Sequence, residues 1–176
     1  MRYVIPAITF FFVQCGNSDE ILVNSRLGKP DQESWGVTIL LTDEGLIKAK
    51  IKSGHLEKYN EREFILLDSN VVVDFFDENE NHTSRLICNV AEVNEKSNHM
   101  KAIGNVSAVS DSGITLYTDT LVWNSKDEKM STDCEIMLTT EQKDTLYGVG
   151  FESESDLKNW TILNPSGVTT RSLNEG

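Results

Sequence analysis

The sequence predicts an all-β domain of antiparallel strands, arranged as a roll of stacked hairpins. Apolar and polar residues alternate with period two from Trp35 onward, the pattern of strands with one buried and one wet face. Short polar turn segments interrupt this alternation at regular spacing, as in antiparallel all-β domains. The chain also matches itself weakly at an offset of thirty residues: Asn94/Asn124, Lys96/Lys126, Met100/Met130, Thr115/Thr145, Leu116/Leu146 and Tyr117/Tyr147 coincide. Each repeat is a pair of strands with two turns. Such a unit cannot bury an apolar face alone, so the units must stack or fold into facing sheets.

The N-terminal segment 1–14 reads as a signal peptide. One positive charge, Arg2, precedes the apolar run from Tyr3 to Val13. That run is too short for a membrane-spanning helix, which takes roughly 20 residues, and it suits the h-region of a secretory signal. Cys15 follows at once, as in a bacterial lipobox whose cysteine is acylated, although Phe12 and Gln14 depart from the usual leucine and small residue. The alternative is an uncleaved or differently cleaved signal with an incidental cysteine. Residues 15–34 are polar and carry Gly28 and Pro30, so they read as a lipidated N-terminus and tether. Within them, Ile21 to Val23 could form a short edge strand instead.

The domain is expected over 35–168. Asp43-Glu44-Gly45 reads as a hairpin turn. After it, Ile47, Ala49 and Ile51 alternate with Lys48, Lys50 and Lys52, which predicts one apolar and one lysine-bearing wet face. The β-branched and aromatic run 64–76 is hard to place on a helix. Further strands are expected over 86–93, 100–109, 114–123, 130–139 and 145–151, divided by polar turns at 77–81, 95–98, 110–113, 125–128 and 141–144. The one helical candidate is a turn near 155–159, with Ser153 or Ser155 as cap. Residues 169–176 read as a tail.

Composition and motifs narrow the function. The 28 acidic residues exceed the 16 basic ones, giving a net charge of −12. Nucleic acid is therefore excluded as a partner, because phosphate binding needs clustered cations. His55, His82 and His99 are too scattered for a metal site or histidine catalysis, and no hydrolase, metalloprotease, nucleotide-binding or calcium-loop motif is present. No catalytic residue, metal or cofactor is expected. Gly148-Val149-Gly150 reads as a bulge or a close backbone contact. The Thr118-Asp119 and Thr132-Asp133 pairs read as satisfying backbone groups rather than as paired catalytic carboxylates. Cys88 and Cys134 lie in apolar strand patterns and read as separate buried thiols. Trp35, Trp123 and Trp160 could form a sugar-stacking platform, but Trp123 falls in the alternating pattern and reads as core.

The ordered motifs then carry a resemblance. The chain reads Ala102-Ile103-Gly104-Asn105-Val106, then 113–124 as GITLYTDTLVWN, then Thr132-Asp133, Leu146-Tyr147-Gly148-Val149-Gly150-Phe151 and Asp156-Leu157. With Ser34-Trp35-Gly36 at the domain start, this set resembles the LptC family of periplasmic lipopolysaccharide-export proteins over about 35–168. The resemblance implies a twisted β-jellyroll, open like a boat, whose interior groove holds lipid acyl chains. It implies lipopolysaccharide as cargo, an inner-membrane Lpt ABC transporter complex on one side and a periplasmic LptA-like bridge protein on the other. It also implies periplasmic localisation in a Gram-negative bacterium. Usual members carry an N-terminal transmembrane helix; here the lipid anchor at Cys15 takes that place, and sorting between inner and outer membrane stays open.

The expected groove lining is Ile47, Ala49, Ile51, Val73, Phe75, Met100, Ala102, Val106, Leu121, Trp123, Met130, Ile136 and Leu138. Those same side chains would alternatively touch one another in a filled core. The expected partner edge comprises Leu146, Gly148, Gly150, Phe151, Trp160 and Ile162, with the N-terminal strands meeting the transporter. The competing reading is a structural or carbohydrate-binding jellyroll lipoprotein, which Trp35 and Trp160 exposed on one face would favour and burial of both would count against.

Overall fold

A computed structural model describes residues 28–166. The signal segment, Cys15, the tether up to residue 27 with Ile21 to Val23, and the tail lie outside the described residues. Nine strands form one antiparallel sheet in chain order: β1 (Gln32–Asp43), β2 (Leu46–Tyr59), β3 (Phe64–Phe76), β4 (His82–Asn94), β5 (Met100–Ser110), β6 (Thr115–Asn124), β7 (Lys129–Thr139), β8 (Thr145–Glu154) and β9 (Trp160–Ser166). Each strand pairs with its neighbours in sequence, so short turns suffice throughout. β1 begins at Gln32, ahead of the start expected at Trp35. Its turn into β2 has Glu44 at φ 48° and Gly45 at φ 85°. Two consecutive positive φ values match the twist of a tight hairpin, and glycine takes the second at little cost.

β1 to β8 run 10 to 14 residues, against a common length of about five or six. The length has a cause: each strand bends at its middle and serves two leaves. The bends share one line across the sheet. On that line Ser69–Asn70 of β3 oppose the single residue Asn89 of β4. Gly104–Asn105 of β5 oppose Asp119 of β6. Asp133–Cys134 of β7 oppose Gly150 of β8. An extra residue in one strand kinks it and sharpens its twist. Ser69, Asn70, Gly104 and Asn105 all take positive φ there. On this line the even-numbered strands have no extra residue and switch their buried parity instead. Buried residues run Ala49, Ile51, Ser53 then Leu56 in β2; Leu86, Cys88 then Ala91, Val93 in β4; and Leu116, Thr118 then Leu121, Trp123 in β6. Backbones approach closely at this line: a Cβ on Gly54 would lie 2.5 Å from the Ser69 carbonyl oxygen.

The first leaf carries the β1–β2, β3–β4, β5–β6 and β7–β8 turns; the second carries the other four. Folding along the line brings their inner faces together. The Phe75 ring of the first leaf meets the Trp123 ring of the second edge-on, with centroids 5.3 Å apart. The buried apolar side chains of both leaves form a single cluster. This is the all-β, twisted antiparallel roll the sequence predicts, with β1 and β9 left as edges.

Three local expectations are corrected. Residues 155–159 form a turn rather than a helix. Leu157 there takes φ 58° and is fully buried, so the turn is pinned by its own side chain in the core. The 3₁₀ turn among the described residues is Asn60–Arg62, between β2 and β3. Lys48 is not on a wet face: β2 pairs Ala49 with Leu41 but Ile47 with Thr42, so Lys48 is an extra residue and is buried. The wet-face reading holds for Lys52, while Lys50 is half-buried.

Candidate functional site

The interior between the leaves gathers all the expected groove residues except Ile47. Ala49, Ile51, Val73, Phe75, Val106, Ile136 and Leu138 come from the first leaf; Met100, Ala102, Leu121, Trp123 and Met130 come from the second. Ile47 is half-buried and outside the cluster, displaced by the irregularity that turns Lys48 inward. None of the twelve clustered residues is more than 4% exposed. The inner faces therefore touch each other, and the described conformation is closed. The cluster also holds residues that the reading of the sequence missed, namely Leu41, Leu56, Leu67, Val71, Leu86, Ala91, Val93, Ala108, Leu116 and Leu157, and it holds Cys88, which that reading had buried. For Leu56 and Leu116 the signal was the parity switch at the bend, which a single alternation per strand overlooks, whereas Leu67 and Ala108 are in step with Val73 and Val106.

Opposite the bend, the free lips of the leaves meet through a small set of polar contacts. Lys48 Nζ lies 2.6 Å from Glu128 Oε1, joining the start of β2 to the β6–β7 turn. Its hydrogen bond to Glu128 raises the ammonium pKa above the usual value despite the opposing effect of burial. Ser84 Oγ donates to the Ser155 carbonyl oxygen, joining β4 to the β8–β9 turn. Among the described residues no disulfide crosses the lips. Beside the Lys48–Glu128 pair lies a cavity of about 190 Å³, lined by Leu41, Thr42, Asp43, Lys48, Lys96, Ser97, Asn98, Trp123, Ser125 and Lys126. A shallower hollow of about 580 Å³ runs along the bend, between Tyr117, Met137 and Tyr147 and the buried residues Val106, Thr118 and Ile136.

The turns at the first leaf's lip are tied by charge. Arg85 Nε lies 2.6 Å from Asp74 Oδ1, and His82 reaches Asp111 at 2.9 Å and Asp74 at 3.5 Å. Burial of Asp74 would raise its pKa. The hydrogen bond and charge of Arg85, joined by His82, outweigh that and hold the carboxyl below the usual aspartate value.

The sheet edges differ from the expected partner edge by one strand. β8 is paired on both sides, so Leu146, Gly148, Gly150 and Phe151 have no free ladder. Phe151 is fully buried in the core. Trp160 and Ile162 do lie on the edge strand, β9. Gly150, at φ 82°, lets β9 come close: a Cβ there would lie 2.9 Å from the Leu163 side chain. β9 carries Pro165, which an edge strand tolerates because its second side needs no donor. At the other edge, Trp35 of β1 is 70% exposed and its ring lies 5.3 Å from that of His55. Trp35 and Trp160 thus occupy the two opposite ends of the strand order and form no shared platform.

The remaining candidates carry no assembled chemistry. Asp119 and Asp133 are exposed, while Thr118 donates to the Glu135 carbonyl and Thr132 accepts from the Cys134 amide. Among the described residues no group of three or more His, Cys, Asp or Glu is placed to hold a metal ion. Cys88 and Cys134 are separate free thiols, the first buried and the second half-buried. Burial pushes the Cys88 pKa up to about 11, which keeps it protonated and unreactive at neutral pH. No helix among the described residues is long and apolar enough to cross a membrane.

Comparison with known proteins gives one positive finding. A family model described as "Lipopolysaccharide-assembly, LptC-related" matches residues 36–171. The search of curated proteins found no match.

Proposed function

The chain belongs to the LptC-related family of lipopolysaccharide-assembly proteins, and on that premise we propose that its folded sheet carries lipopolysaccharide acyl chains between its two leaves. The family places it in lipopolysaccharide transport, as a periplasm-facing component associated with the inner membrane. In the finer reading it receives lipopolysaccharide from the inner-membrane ABC transporter and passes it to an LptA-like periplasmic bridge protein.

The observation that carries this reading is the shape of the apolar cluster. It lies between two leaves joined by backbone along the bend and by side-chain contacts at the lips. Parting the lips exposes two apolar faces, and acyl chains cover them. Each CH₂ removed from water contributes ~0.8 kcal/mol, so chain-for-face exchange leaves apolar burial nearly balanced. A balanced exchange needs no covalent step; direction comes from ATP hydrolysis in the transporter. The free backbones of β9 and β1 suit strand addition by neighbours of similar fold. β9, with Trp160 and Ile162, meets the bridge protein, with Leu146, Gly148, Gly150 and Phe151 in or beside the strand that supports it. β1 and the N-terminal strands meet the transporter.

Anchoring is assigned to Cys15, with residues 1–14 as the signal, 15–31 as the tether, the transport domain running from the start of β1 at Gln32 to 168, and 169–176 as a tail. Two or more acyl chains suffice for stable attachment. Radiolabelled palmitate will label the wild-type protein and leave Cys15→Ala unlabelled; equal labelling of both would remove the lipoprotein assignment.

The transport reading is tested by photo-crosslinking in cells. A photoreactive residue at Phe75, Val106 or Ile136 will form lipopolysaccharide adducts that require ATP. If none of these inward positions yields an adduct while the protein is folded and assembled, the reading fails.

A further inference from the structure

The outer faces of the two leaves differ. Ile87, Ser107, Tyr117, Met137, Tyr147 and Ser166 are cross-strand neighbours in one outward row of the first leaf, and none is charged. The matching row of the second leaf carries Glu92, Lys101 and Glu152. In the uncharged row Tyr117 is 43% and Tyr147 49% exposed. Tyr117 stands on β6 and Tyr147 on β8, with Met137 of β7 between them. Two strand spacings separate the tyrosines, about 10 Å. The hollow of about 580 Å³ lies against them, and a second of about 380 Å³ continues it past Tyr147 to Val149 and Ser166. Together they cross the sheet from β5 to β9. Asn105, Asp119 and Glu135 line this course and are exposed. Their side chains and the two tyrosine hydroxyls have no hydrogen bond or ion pair among the described residues. No lysine, arginine or histidine lines either hollow.

We infer that this continuous hollow binds an uncharged, β-1,4-linked glycan chain, with Tyr117 and Tyr147 as its stacking platforms. A sugar ring has apolar C–H faces and a rim of hydroxyls, so it needs aromatic faces bordered by hydrogen-bonding groups. The tyrosine rings supply the faces. Asp119 and Glu135 accept from hydroxyls, and the Asn105 amide both donates and accepts. A β-1,4 linkage turns each ring over relative to the last, which keeps the chain extended and repeats the same ring face at every second sugar. That repeat matches the separation of the two tyrosines. An α-1,4 chain coils and meets only one of them. Two carboxylates with no cation beside them repel an anionic glycan. The hollow lies on the outside of the bend, away from the lips, so binding there does not depend on acyl chains entering between the leaves.

The test follows the tyrosine ring resonances of the full-length protein labelled with ¹³C-tyrosine. The chain has four tyrosines, and Tyr117→Phe and Tyr147→Phe identify the two that matter. Cellotetraose and tetra-N-acetylchitotetraose share the β-1,4 backbone and are titrated separately. Maltotetraose supplies the α-1,4 comparison, and tetralysine probes the two carboxylates as a plain cation site. At least one β-linked tetrasaccharide is expected to move both resonances saturably while Tyr59 stays in place, with maltotetraose binding far more weakly. Tyr117→Ser and Tyr147→Ser, followed through the remaining tyrosine, are each expected to weaken the midpoint about tenfold, whereas the phenylalanine variants keep it, because the ring carries the stacking. No movement with either β-linked probe, equal binding of maltotetraose, a response to tetralysine alone, or an unchanged midpoint in both serine variants overturns the inference.

Discussion

Tying the two leaves together at their lips will stop lipopolysaccharide transport. Lys48 and Glu128 face each other across the lips at 2.6 Å between charged atoms. Cysteines at these two positions, in a Cys134→Ser background, can be joined by a cleavable bifunctional maleimide. Cys88 is buried and stays unmodified. In proteoliposomes holding the full-length protein with its transporter, the linked protein is expected to lose transport, and cleaving the linker to restore it. The unlinked double variant serves as the control, since it also lacks the ion pair. The cause is geometric: the interior side chains fill the space between the leaves, so a chain can enter only where they separate. Transport at the unlinked rate by the linked protein would mean that cargo never passes between the leaves.

Trp123→Ala will be among the most destabilising single changes in the chain. The ring is 1% exposed and meets Phe75 of the opposite leaf at 5.3 Å, so its loss leaves a void where the leaves adhere. Truncations of this kind cost about 3–5 kcal/mol through lost transfer energy and unrelieved cavity. Urea denaturation, compared at matched slope, measures it directly. A loss below about 1 kcal/mol would show that the leaves do not depend on this contact, because such values belong to surface changes. Trp35→Ala, at a 70% exposed position, is the natural contrast and should change little.

Most of the architecture was legible because a strand writes its two faces into alternate residues. The turn at Asp43-Glu44-Gly45 was legible for a related reason, since consecutive positive φ values select such residues. The bend was not. It shows in sequence as a lost beat, as between Cys88 and Ala91 in β4, and one lost beat looks like noise. Asn70 and Gly104–Asn105 are the better marks, being residue types that tolerate positive φ in mid-strand. Missing the bend hid part of the interior, including Leu56 and Leu116, which fall out of step with Ile51 and Leu121 of their own strands. Lys48 was misplaced by the same kind of event, one extra residue facing Leu41 and Thr42. The edge was displaced by one strand because no local property of β8 tells whether another strand follows it. Whether inward side chains line a groove or fill a core cannot be written in alternation at all, because both arrangements bury the same face.

The central claim is that the leaves part to admit cargo. Spin labels on cysteines at Thr42 and Lys129, exposed positions near the lips on opposite leaves, report their separation in the full-length protein carrying Cys134→Ser. Loading with lipopolysaccharide should add a longer distance to the distribution, and its removal should restore the single short one. One unchanged distance in protein shown to have lipopolysaccharide bound would contradict the account.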